Sequence, residues 1–369
     1  MGIPGRRHRR PPTLVVDEPT SGLDLRGGTL LVRGWALDAS RTDPGTVTVT
    51  VGDRVVPTRR RTRPDVAQAE QLPAETPVGF VAAVDRRSLP AHGELRVRAL
   101  FGRRAVDSAP VPFTNELAEP VPTVGVDHCP VCGSSARHPV GSSDGLRMAC
   151  CRDCAVVYTV DRPEPGFLAA RYSAYYFTDE YLPALDAEPV EMAEHWTRLL
   201  DRIEPHRAQG ARLFEIGCGA GRFLAAARQR GWAVAGADIN ESAVEHGRRE
   251  LNLDLSCRAA DEPIDGAGPF DAVVSEMSLE HVPHPAAVMA TVAAGLRPGG
   301  VVLVFTVSAE GPSFTELGMA SPLVGPAEHL LLFSDRALRR LADQAGLETL
   351  ETWTDASGDG IGLVARRPG

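Results

Sequence analysis

The sequence has no apolar stretch long enough to cross a membrane. Such a span needs about 18 consecutive apolar residues, and none occurs in the 369 residues of the chain. The basic residues at positions 6–10 are not followed by an apolar segment of signal-peptide length. We therefore expect a cytoplasmic protein without a membrane span.

An excess of positive charge is also missing. Lysine and arginine total 39 and aspartate and glutamate 48, which gives a net charge of −9. This balance disfavours a nucleic-acid binder that works through bulk electrostatics. Two short basic clusters are interpreted as a disordered tail, residues 1–12, and a solvated loop, residues 59–63. The length allows two or three domains, and 43% hydrophobic with 24% charged residues is ordinary for a soluble globular protein.

A helical period is not evident in the first 120 residues. Four strand-like runs occur instead, and one of them alternates strictly between Thr and Val, as a half-buried strand does. The runs are residues 29–37, 46–51, 79–84 and 94–100. Pro, Gly, Asp and Asn separate them. This pattern predicts an antiparallel β-sandwich over residues 13–118, followed by a proline-rich linker over residues 119–127.

This N-terminal region resembles an immunoglobulin-like accessory domain. The resemblance lies in R-G-W-A-L at residues 33–37 and P-V-G-F at residues 77–80. It implies a module that docks a carbohydrate or a protein partner, or a scaffold that stabilises or dimerises the rest of the chain, and both alternatives stay open. Trp35 is interpreted as a core residue rather than as a platform for a sugar.

Cysteine is scarce, with seven residues, but four of them form two C-x-x-C pairs separated by 18 residues. In a reducing compartment such pairs suit tetrahedral Zn²⁺ better than disulfides, and four thiolates leave no open position for catalysis. We predict a zinc ribbon over residues 128–160 with the ligands Cys129, Cys132, Cys151 and Cys154. Cys150 could replace Cys151 if the second pair were wider, and a redox dithiol is the other alternative.

The run E-I-G-C-G-A-G at residues 215–221 carries the most information about function. It follows a short apolar stretch and precedes a helical pattern, so it predicts a turn where a ligand approaches the backbone and the N–H groups of a helix start. A dinucleotide fingerprint needs a small residue where Arg222 stands. A nicotinamide cofactor is therefore disfavoured.

The same run resembles motif I of the class I S-adenosylmethionine (SAM)-dependent methyltransferases, and the resemblance covers about residues 165–367. Further motifs follow in order, including a strand that ends at Asp238, an F-D-x-V strand start at Phe270 and an R-P-G-G turn at residues 297–300. The resemblance implies an α/β fold with a Rossmann-like, mostly parallel sheet and an antiparallel last strand over residues 211–369. A helical cap over residues 161–210 precedes it.

SAM is the cofactor that this resemblance implies. A carboxylate at position 238 can accept protons from both ribose hydroxyls. An acidic residue near position 261 bonds the adenine amino group in the family, and Asp261 is preferred to Glu262. The full predicted set is Glu215, Gly217, Cys218, Gly219, Gly221, Asp238, Ile239, Asp261, Glu262, Ser275, Glu276, Met277, Tyr175 and Tyr176.

Three histidines are candidates for a catalytic base. His281 and His284 follow the fourth strand, and His329 stands in an H-x-x-x-F-S stretch after a Gly/Pro-rich segment, residues 311–326, interpreted as an acceptor lid. An unperturbed histidine has a pKa near ~6.5, which suits a general base near neutral pH. Alternatively, the Glu280–His281 pair closes its loop through hydrogen bonds and contacts only the cofactor. His195 is interpreted as an exposed or satisfied residue.

The sequence thus predicts a methyltransferase that acts on a small molecule, such as a sugar or another specialised metabolite. Transfer would be an in-line displacement. Oxygen or nitrogen acceptors are favoured over carbon, because the long C-terminal domain of sugar C-methyltransferases is not seen after the core. A keto-sugar C-methyltransferase and a non-catalytic docking protein are the alternatives, and S-E-M-S at residues 275–278 disfavours a nucleic-acid methyltransferase.

Overall fold

The computed structural model describes residues 11–18, 23–24, 29–40, 43–51, 54–56, 58–85, 92–115, 121–143, 145–168, 190–264, 269–321 and 323–369. The chain divides into two compact units, one formed mainly by Met1–Pro120 and the other mainly by Val121–Gly369. Among the described residues, no helix combines the length and the apolar character that crossing a bilayer requires.

The described residues of the N-terminal unit form two β-sheets and one short helix. Its elements are β1 (Thr13–Glu18), β2 (Leu23–Asp24), β3 (Thr29–Leu37), β4 (Thr46–Val51), β5 (Arg54–Val56), β6 (Arg59–Arg61), α1 (Pro64–Ala69), β7 (Gly79–Asp85), β8 (His92–Phe101), β9 (Arg104–Asp107) and β10 (Val111–Thr114). One sheet has the order β1-β3-β7-β6, and the other has the order β2-β10-β8-β4-β5 with β9 paired to β8. The four predicted strands are present as β3, β4, β7 and β8.

Side chains from both sheets form one hydrophobic cluster, which includes Val32, Val49, Phe80 and Leu95. Along β8, buried apolar side chains alternate with exposed ones, as expected for a strand with one buried face. Trp35 packs against a smaller cluster of the same unit, in agreement with its interpretation as a core residue. The immunoglobulin-like character of this unit stays a prediction.

The prediction of a solvated loop at residues 59–63 is wrong. Arg59–Arg61 forms strand β6, which pairs with β7, and the Arg60 guanidinium donates to the Pro44 carbonyl at 2.8 Å. The long stems of these arginines allow the backbone to join a sheet while the charged ends reach hydrogen-bond acceptors. Residues 1–10 of the predicted tail, residues 1–12, lie outside the described residues.

The cysteine segment of the C-terminal unit is built from short strands: β11 (Thr123–Gly125), β12 (Arg137–Ser143), β13 (Leu146–Cys151), β14 (Val157–Thr159) and β15 (Asp161–Pro163). A sheet of the order β12-β13-β14-β21 includes a distant two-residue strand, β21 (Leu331–Leu332). Two further hydrogen bonds support this pairing, from the Thr159 amide to the Leu330 carbonyl at 2.9 Å and from the Thr159 hydroxyl to the Pro326 carbonyl at 3.2 Å.

The central sheet has seven strands in the order β18-β17-β16-β19-β20-β23-β22. These strands are β16 (Arg212–Ile216), β17 (Ala233–Asp238), β18 (Asp254–Cys257), β19 (Phe270–Glu276), β20 (Leu296–Val307), β22 (Glu348–Thr354) and β23 (Gly360–Arg366). All neighbouring pairs are parallel except those that include β23, which is antiparallel to both β20 and β22. The predicted mostly parallel sheet with an antiparallel last strand is confirmed.

Helices cover both faces of this sheet. The α-helices that the structure describes in this unit are α2 (Val190–Ile203), α3 (Arg222–Gln229), α4 (Glu241–Glu250), α5 (Pro285–Gly295), α6 (Pro312–Leu317) and α7 (Asp335–Gln344). Alternate strand residues point to opposite faces, so Leu213 packs in a cluster with α2 and α3, whereas Phe214 packs in a cluster with α5 and α7. The sheet is therefore buried on both faces, and the ends of its strands are the parts that remain accessible to a ligand.

Two local predictions need correction. The R-P-G-G motif predicts a turn between a helix and the fifth strand, but β20 already begins at Leu296, which pairs with Phe270, and the motif lies inside the strand at an irregularity of the pairing. The segment predicted as a loop-like acceptor lid contains α6 and a 3₁₀ turn, Gly318–Ala320. In this segment Pro at the first helical position favours a helix start, which the Gly/Pro-rich composition conceals.

Candidate active site

Three glycines shape the turn between β16 and α3. Gly217, Gly219 and Gly221 have φ angles of 69°, 52° and 81°, a region that side-chain-bearing residues rarely adopt. A Cβ atom on Gly217 would lie 2.1 Å from the Ser278 hydroxyl oxygen. The turn therefore needs glycine both for its backbone conformation and for the close approach of the loop after β19.

Asp238 is held at the end of β17 by two backbone donors. Its Oδ2 accepts from the Gly219 amide at 2.7 Å, and its Oδ1 accepts from the Asn240 amide at 2.8 Å. Burial raises the pKa of Asp238, and these N–H donors act in the opposite direction. The carboxylate is thus fixed beside the glycine turn, with further lone pairs for a ligand.

Glu215, in strand β16, is buried. Its side chain is 2% exposed, and its Oε2 has no hydrogen-bond partner. Burial, followed by the negative charges of Glu276 and Asp238, raises the pKa of Glu215 well above its ordinary value. Glu276 in turn lies 3.3 Å from the His195 imidazole, measured from Oε1 to Nε2. This contact joins α2 to the end of β19.

A cavity of about 390 Å³ opens at the carboxyl ends of the parallel strands, where open α/β sheets bind their ligands. It is lined by Pro165, Leu168, Gly217, Gly219, Asp238, Ile239, Asn240, Arg258, Ala259, Ala260, Asp261, Met277, Ser278, His281, Val282, Pro283, His284 and Val288. The residues predicted from the glycine turn and those predicted from the histidine loop thus share one cavity.

Several predicted site residues do not line this cavity. They are Glu215, Cys218, Gly221, Glu262, Ser275, Glu276 and His329. Glu262 instead accepts from the Ala259 amide at 3.3 Å, and Ser275 is buried within β19. Tyr175 and Tyr176 lie outside the described residues. The binding roles of all of these residues stay predictions.

Sequence reasoning missed Asn240, Arg258 and Ser278 on the cavity wall. Asn240 caps α4, since its side chain accepts from the Ala243 amide, so its position after Asp238 could have indicated it. No sequence signal marks Arg258 or Ser278, because their place on the wall depends on how separate loops meet.

Met277 has a left-handed backbone conformation, with a φ angle of 46°. Its amide donates to the Phe305 carbonyl at 2.8 Å, which holds the residue in place at the end of β19. Its side chain is 39% exposed and lines the cavity. Residues in such sparsely populated conformations cluster at functional sites.

His281 lies near Glu280 and His329 at one end of the cavity. The two histidine rings are 4.8 Å apart between centroids, and His281 Nε2 is 3.9 Å from Glu280 Oε1. Burial lowers the pKa of His281, opposed by Glu280 and reinforced by His329. One ligand atom from each of the three residues lies within 4.8 Å of the others, so the group could hold a metal.

The four predicted cysteine ligands form a second such group. The sulfurs of Cys129, Cys132, Cys151 and Cys154 all lie within 4.8 Å of one another. The Cys129–Cys154 and Cys132–Cys151 sulfur distances are both 3.5 Å. Cys150 lies outside the group and directs its thiol toward the Cys151 carbonyl. A tetrahedral metal with bonds of about 2.3 Å needs sulfur separations of about 3.8 Å, close to the 3.5 Å of these two pairs.

Comparisons with known proteins identify the family of this chain. A family model described as a methyltransferase domain matches residues 190–352. A ubiquinone biosynthesis O-methyltransferase from Idiomarina loihiensis is 30% identical over 209 residues, which cover 52% of this chain and 82% of that protein. The chain belongs to the class I SAM-dependent methyltransferases.

Two further similarities concern other methyltransferases. The ubiquinone biosynthesis O-methyltransferase of Thiobacillus denitrificans is 29% identical over 186 residues, which cover 47% of this chain and 76% of that protein. Among solved structures, magnesium protoporphyrin IX methyltransferase from Synechocystis PCC 6803 is similar with 15% identity and a TM-score of 0.45. The match covers 55% of this chain and 100% of that one.

The cavity of the methyltransferase fits SAM. The glycine turn leaves backbone space that a Cβ at Gly217 would fill, and Asp238 offers a fixed carboxylate. Asp261 also lines the cavity. Bound SAM supplies a methyl group on a positively charged sulfur, and the acidic side chains at these strand ends favour that charge.

Proposed function

We propose that this methyltransferase transfers the methyl group of SAM to a hydroxyl oxygen of a small molecule. The observation that carries the proposal is that residues suited to binding SAM and ionisable histidines line the same cavity. Gly217, Gly219 and Asp238 form a cofactor wall, and His281 and His284 form an ionisable wall. An oxygen acceptor also accords with the relatives named O-methyltransferases.

The acceptor is proposed to be a sugar or another specialised metabolite of modest size. The cavity must hold the acceptor together with SAM, and Leu168, Val282 and Val288 give it an apolar side. Such a surface can pack against a ring while polar groups orient its substituents. An amine acceptor, or the carbon of a keto-sugar, is the alternative at the same position.

The chain contributes positioning and exclusion of water to this reaction. In-line displacement requires the acceptor oxygen, the methyl carbon and the sulfur to lie on one line. A hydroxyl must lose its proton during attack, whereas an unprotonated amine need not. The ionisable groups at the His281 end of the cavity are therefore expected to matter more for a hydroxyl acceptor than for an amine acceptor.

Two measurements test the proposal. Calorimetric titration with SAM should show binding that weakens at least tenfold in Asp238→Ala, with Asp254→Ala, on the exposed start of β18, as the control. Incubation with methyl-labelled SAM and matched hydroxyl, O-methyl ether and amine compounds should label only the hydroxyl set. Label on nitrogen or carbon alone, or no SAM binding, would contradict the proposal.

We also propose that Cys129, Cys132, Cys151 and Cys154 bind one structural Zn²⁺. The support is the sulfur separations given above and the two tight turns that each supply two thiolates. Elemental analysis of the purified chain should find one zinc from this site, lost in Cys129→Ser and retained in Cys150→Ser. Equal zinc content in both variants would argue against these ligands.

The N-terminal unit is proposed to dock a carbohydrate or protein partner, or to dimerise the methyltransferase, in the cytoplasm. Its two sheets share a core of their own, so the unit could serve either role without contributing to the cavity. Light scattering of the full chain, with and without an oligosaccharide panel, separates these roles.

A further inference from the structure

Glu280 is a buried carboxylate, and one of its two oxygens has no hydrogen-bond partner. The residue is 0% exposed. Its Oε2 accepts from the Thr306 hydroxyl at 2.7 Å, but its Oε1 has no hydrogen-bond partner. Burying a carboxylate costs several kcal/mol or more unless a cation or further donors compensate it. The fold therefore calls for positive charge at Oε1.

His281 does not meet this requirement by a direct hydrogen bond. Its Nε2 lies 3.9 Å from Glu280 Oε1, which is beyond hydrogen-bond distance. A protonated His281 would also face the second imidazole, His329, at a centroid distance of 4.8 Å. The space between the three side chains suits a compact cation better than an added proton.

Both imidazoles are oriented as metal ligands usually are. His281 Nδ1 lies 3.1 Å from the Glu328 carbonyl oxygen, and His329 Nδ1 lies 2.9 Å from the Leu323 carbonyl oxygen. A carbonyl only accepts, so each Nδ1 carries the hydrogen and each Nε2 carries a lone pair. Metal-binding histidines typically donate their other ring nitrogen to a backbone carbonyl or a carboxylate in this way.

We infer that Glu280, His281 and His329 bind a divalent transition-metal cation beside the acceptor position. One ligand atom from each lies within 4.8 Å of the others. Two imidazoles and one carboxylate suit Mn²⁺, Fe²⁺, Co²⁺ or Zn²⁺, and they leave other positions open. This cation is separate from the zinc proposed at the cysteines, whose four thiolates are a softer ligand set.

The inference rests on the proposed function and narrows its substrate. His281 lines the cavity, so open positions of the cation can face the acceptor. A cation beside a hydroxyl lowers its pKa and orients it. In the transfer, the O–CH₃ bond forms as the S–CH₃ bond breaks, and the hydroxyl proton passes to solvent. The favoured acceptor carries two oxygens on adjacent carbons, because such a pair fills two open positions.

Titration of the chelator-treated full chain with Mn²⁺, followed by electron paramagnetic resonance, tests the site. Mn²⁺ is the probe because it prefers oxygen and nitrogen over thiolates. We expect one saturable site in the wild type and at least tenfold weaker binding in Glu280→Gln and His329→Asn. Gln keeps an acceptor for Thr306, and the Asn amide keeps a donor near the position of Nδ1. His284→Asn, on the cavity wall but outside the group, should bind Mn²⁺ like the wild type.

Unchanged SAM affinity in each variant verifies that the fold is retained. No saturable Mn²⁺ site, or equal Mn²⁺ affinity in His329→Asn and His284→Asn, overturns the inference. Methyl transfer to hydroxyls that is insensitive to chelation also overturns it and leaves the proposed function standing. Mn²⁺ binding that depends on Glu280 and His329, without transfer to any hydroxyl, supports the site and rejects the proposed function.

Discussion

Acidic side chains gather where the central strands of the methyltransferase end. Burial is the main cause of the raised pKa of Glu215, and the negative charges of Glu276 and Asp238 raise it further. Such an arrangement costs stability in the free protein. A cofactor with a sulfonium and an ammonium group relieves this repulsion. The acidic side chains therefore lower the stability of the free protein but favour binding of the positively charged cofactor.

Gly217→Ala should weaken SAM binding more strongly than it lowers the stability of the fold. The new Cβ would lie 2.1 Å from the Ser278 hydroxyl oxygen, and the loop after β19 would have to move away from the cavity wall. We expect SAM affinity to fall at least about tenfold, equivalent to about 1.4 kcal/mol. Calorimetric titration measures this loss.

Gly210→Ala is the matched control for Gly217→Ala. Gly210 has the same φ angle of 69°, but a Cβ there would meet no atom within 4 Å. The backbone strain of about 1 kcal/mol is therefore shared by both variants. If Gly210→Ala weakened SAM binding as strongly, the close approach of Ser278 would not be the cause.

Glu215→Gln should stabilise the free protein increasingly as the pH rises. The raised pKa means that folded Glu215 keeps its proton at pH values where the unfolded chain releases it. Between the ordinary pKa and the raised one, the wild type therefore loses about 1.4 kcal/mol of stability each time the proton concentration falls tenfold, and a glutamine does not.

Thermal unfolding at about pH 5 and about pH 8 checks the sign of this effect. The difference in Tm between Glu215→Gln and the wild type should grow toward the higher pH. Glu245→Gln, on the exposed side of α4, should show a difference that is small at both values. A difference for Glu215→Gln that shrinks with pH would mean that the buried carboxyl is ionised.

At the scale of elements, Ser334 joins α7 to the cysteine segment. Its hydroxyl oxygen accepts from the Ala337 amide at 3.0 Å, which caps α7, and the hydroxyl donates to the Cys154 carbonyl at 2.6 Å. Ser334→Ala should lower the free energy of unfolding by about 2–4 kcal/mol, since it removes a cap worth about 1 kcal/mol and leaves a buried carbonyl unsatisfied.

Asn240→Ala provides the comparison in urea unfolding. Asn240 caps α4 through the Ala243 amide at 2.9 Å, without a link to the cysteine segment. Its loss should cost about 1 kcal/mol. Equal costs for the two variants would show that the hydrogen bond from Ser334 to Cys154 adds no stability.

The elements that the sequence predicted well are those with local signals. A capping residue at Ser334, a helical period and Gly346 together predict a helix over residues 335–344, and the structure has this helix at Asp335–Gln344. Strands β16 and β19 are rich in apolar residues and buried over nearly their whole length, which is typical of a parallel sheet covered on both faces.

Elements defined by distant contacts were not predictable. β21 has two residues, too few for any period, and it exists because β14 offers a free edge. The contact of His195 with Glu276 joins positions 81 apart, so local spacing does not indicate it. The hydrogen bond from the Thr306 hydroxyl in β20 to Glu280 likewise joins residues that are distant in the sequence. The residues around the glycine turn were therefore more predictable than the contacts around Glu280 and His195.

At the scale of the whole molecule, the cavity belongs to one unit. Every residue that lines it lies within the unit formed mainly by Val121–Gly369. A chain of residues 121–369 should therefore bind SAM with the affinity of the full chain. Calorimetric titration of both chains measures this, and a fall of more than about tenfold would mean that the N-terminal residues stabilise the site.

The pairing of β14 with β21 also sets an order of folding. The hydrogen bonds that support it span 167 residues, from Thr159 to Pro326, and 180 residues, from Cys154 to Ser334. Contacts this distant in sequence form late, because closing so long a loop is entropically costly. During synthesis the edge of β14 therefore stays unpaired until the chain has been made as far as β21, after most of the methyltransferase core. A metal bound by the four cysteines would stabilise the conformation of this segment before β21 pairs with it.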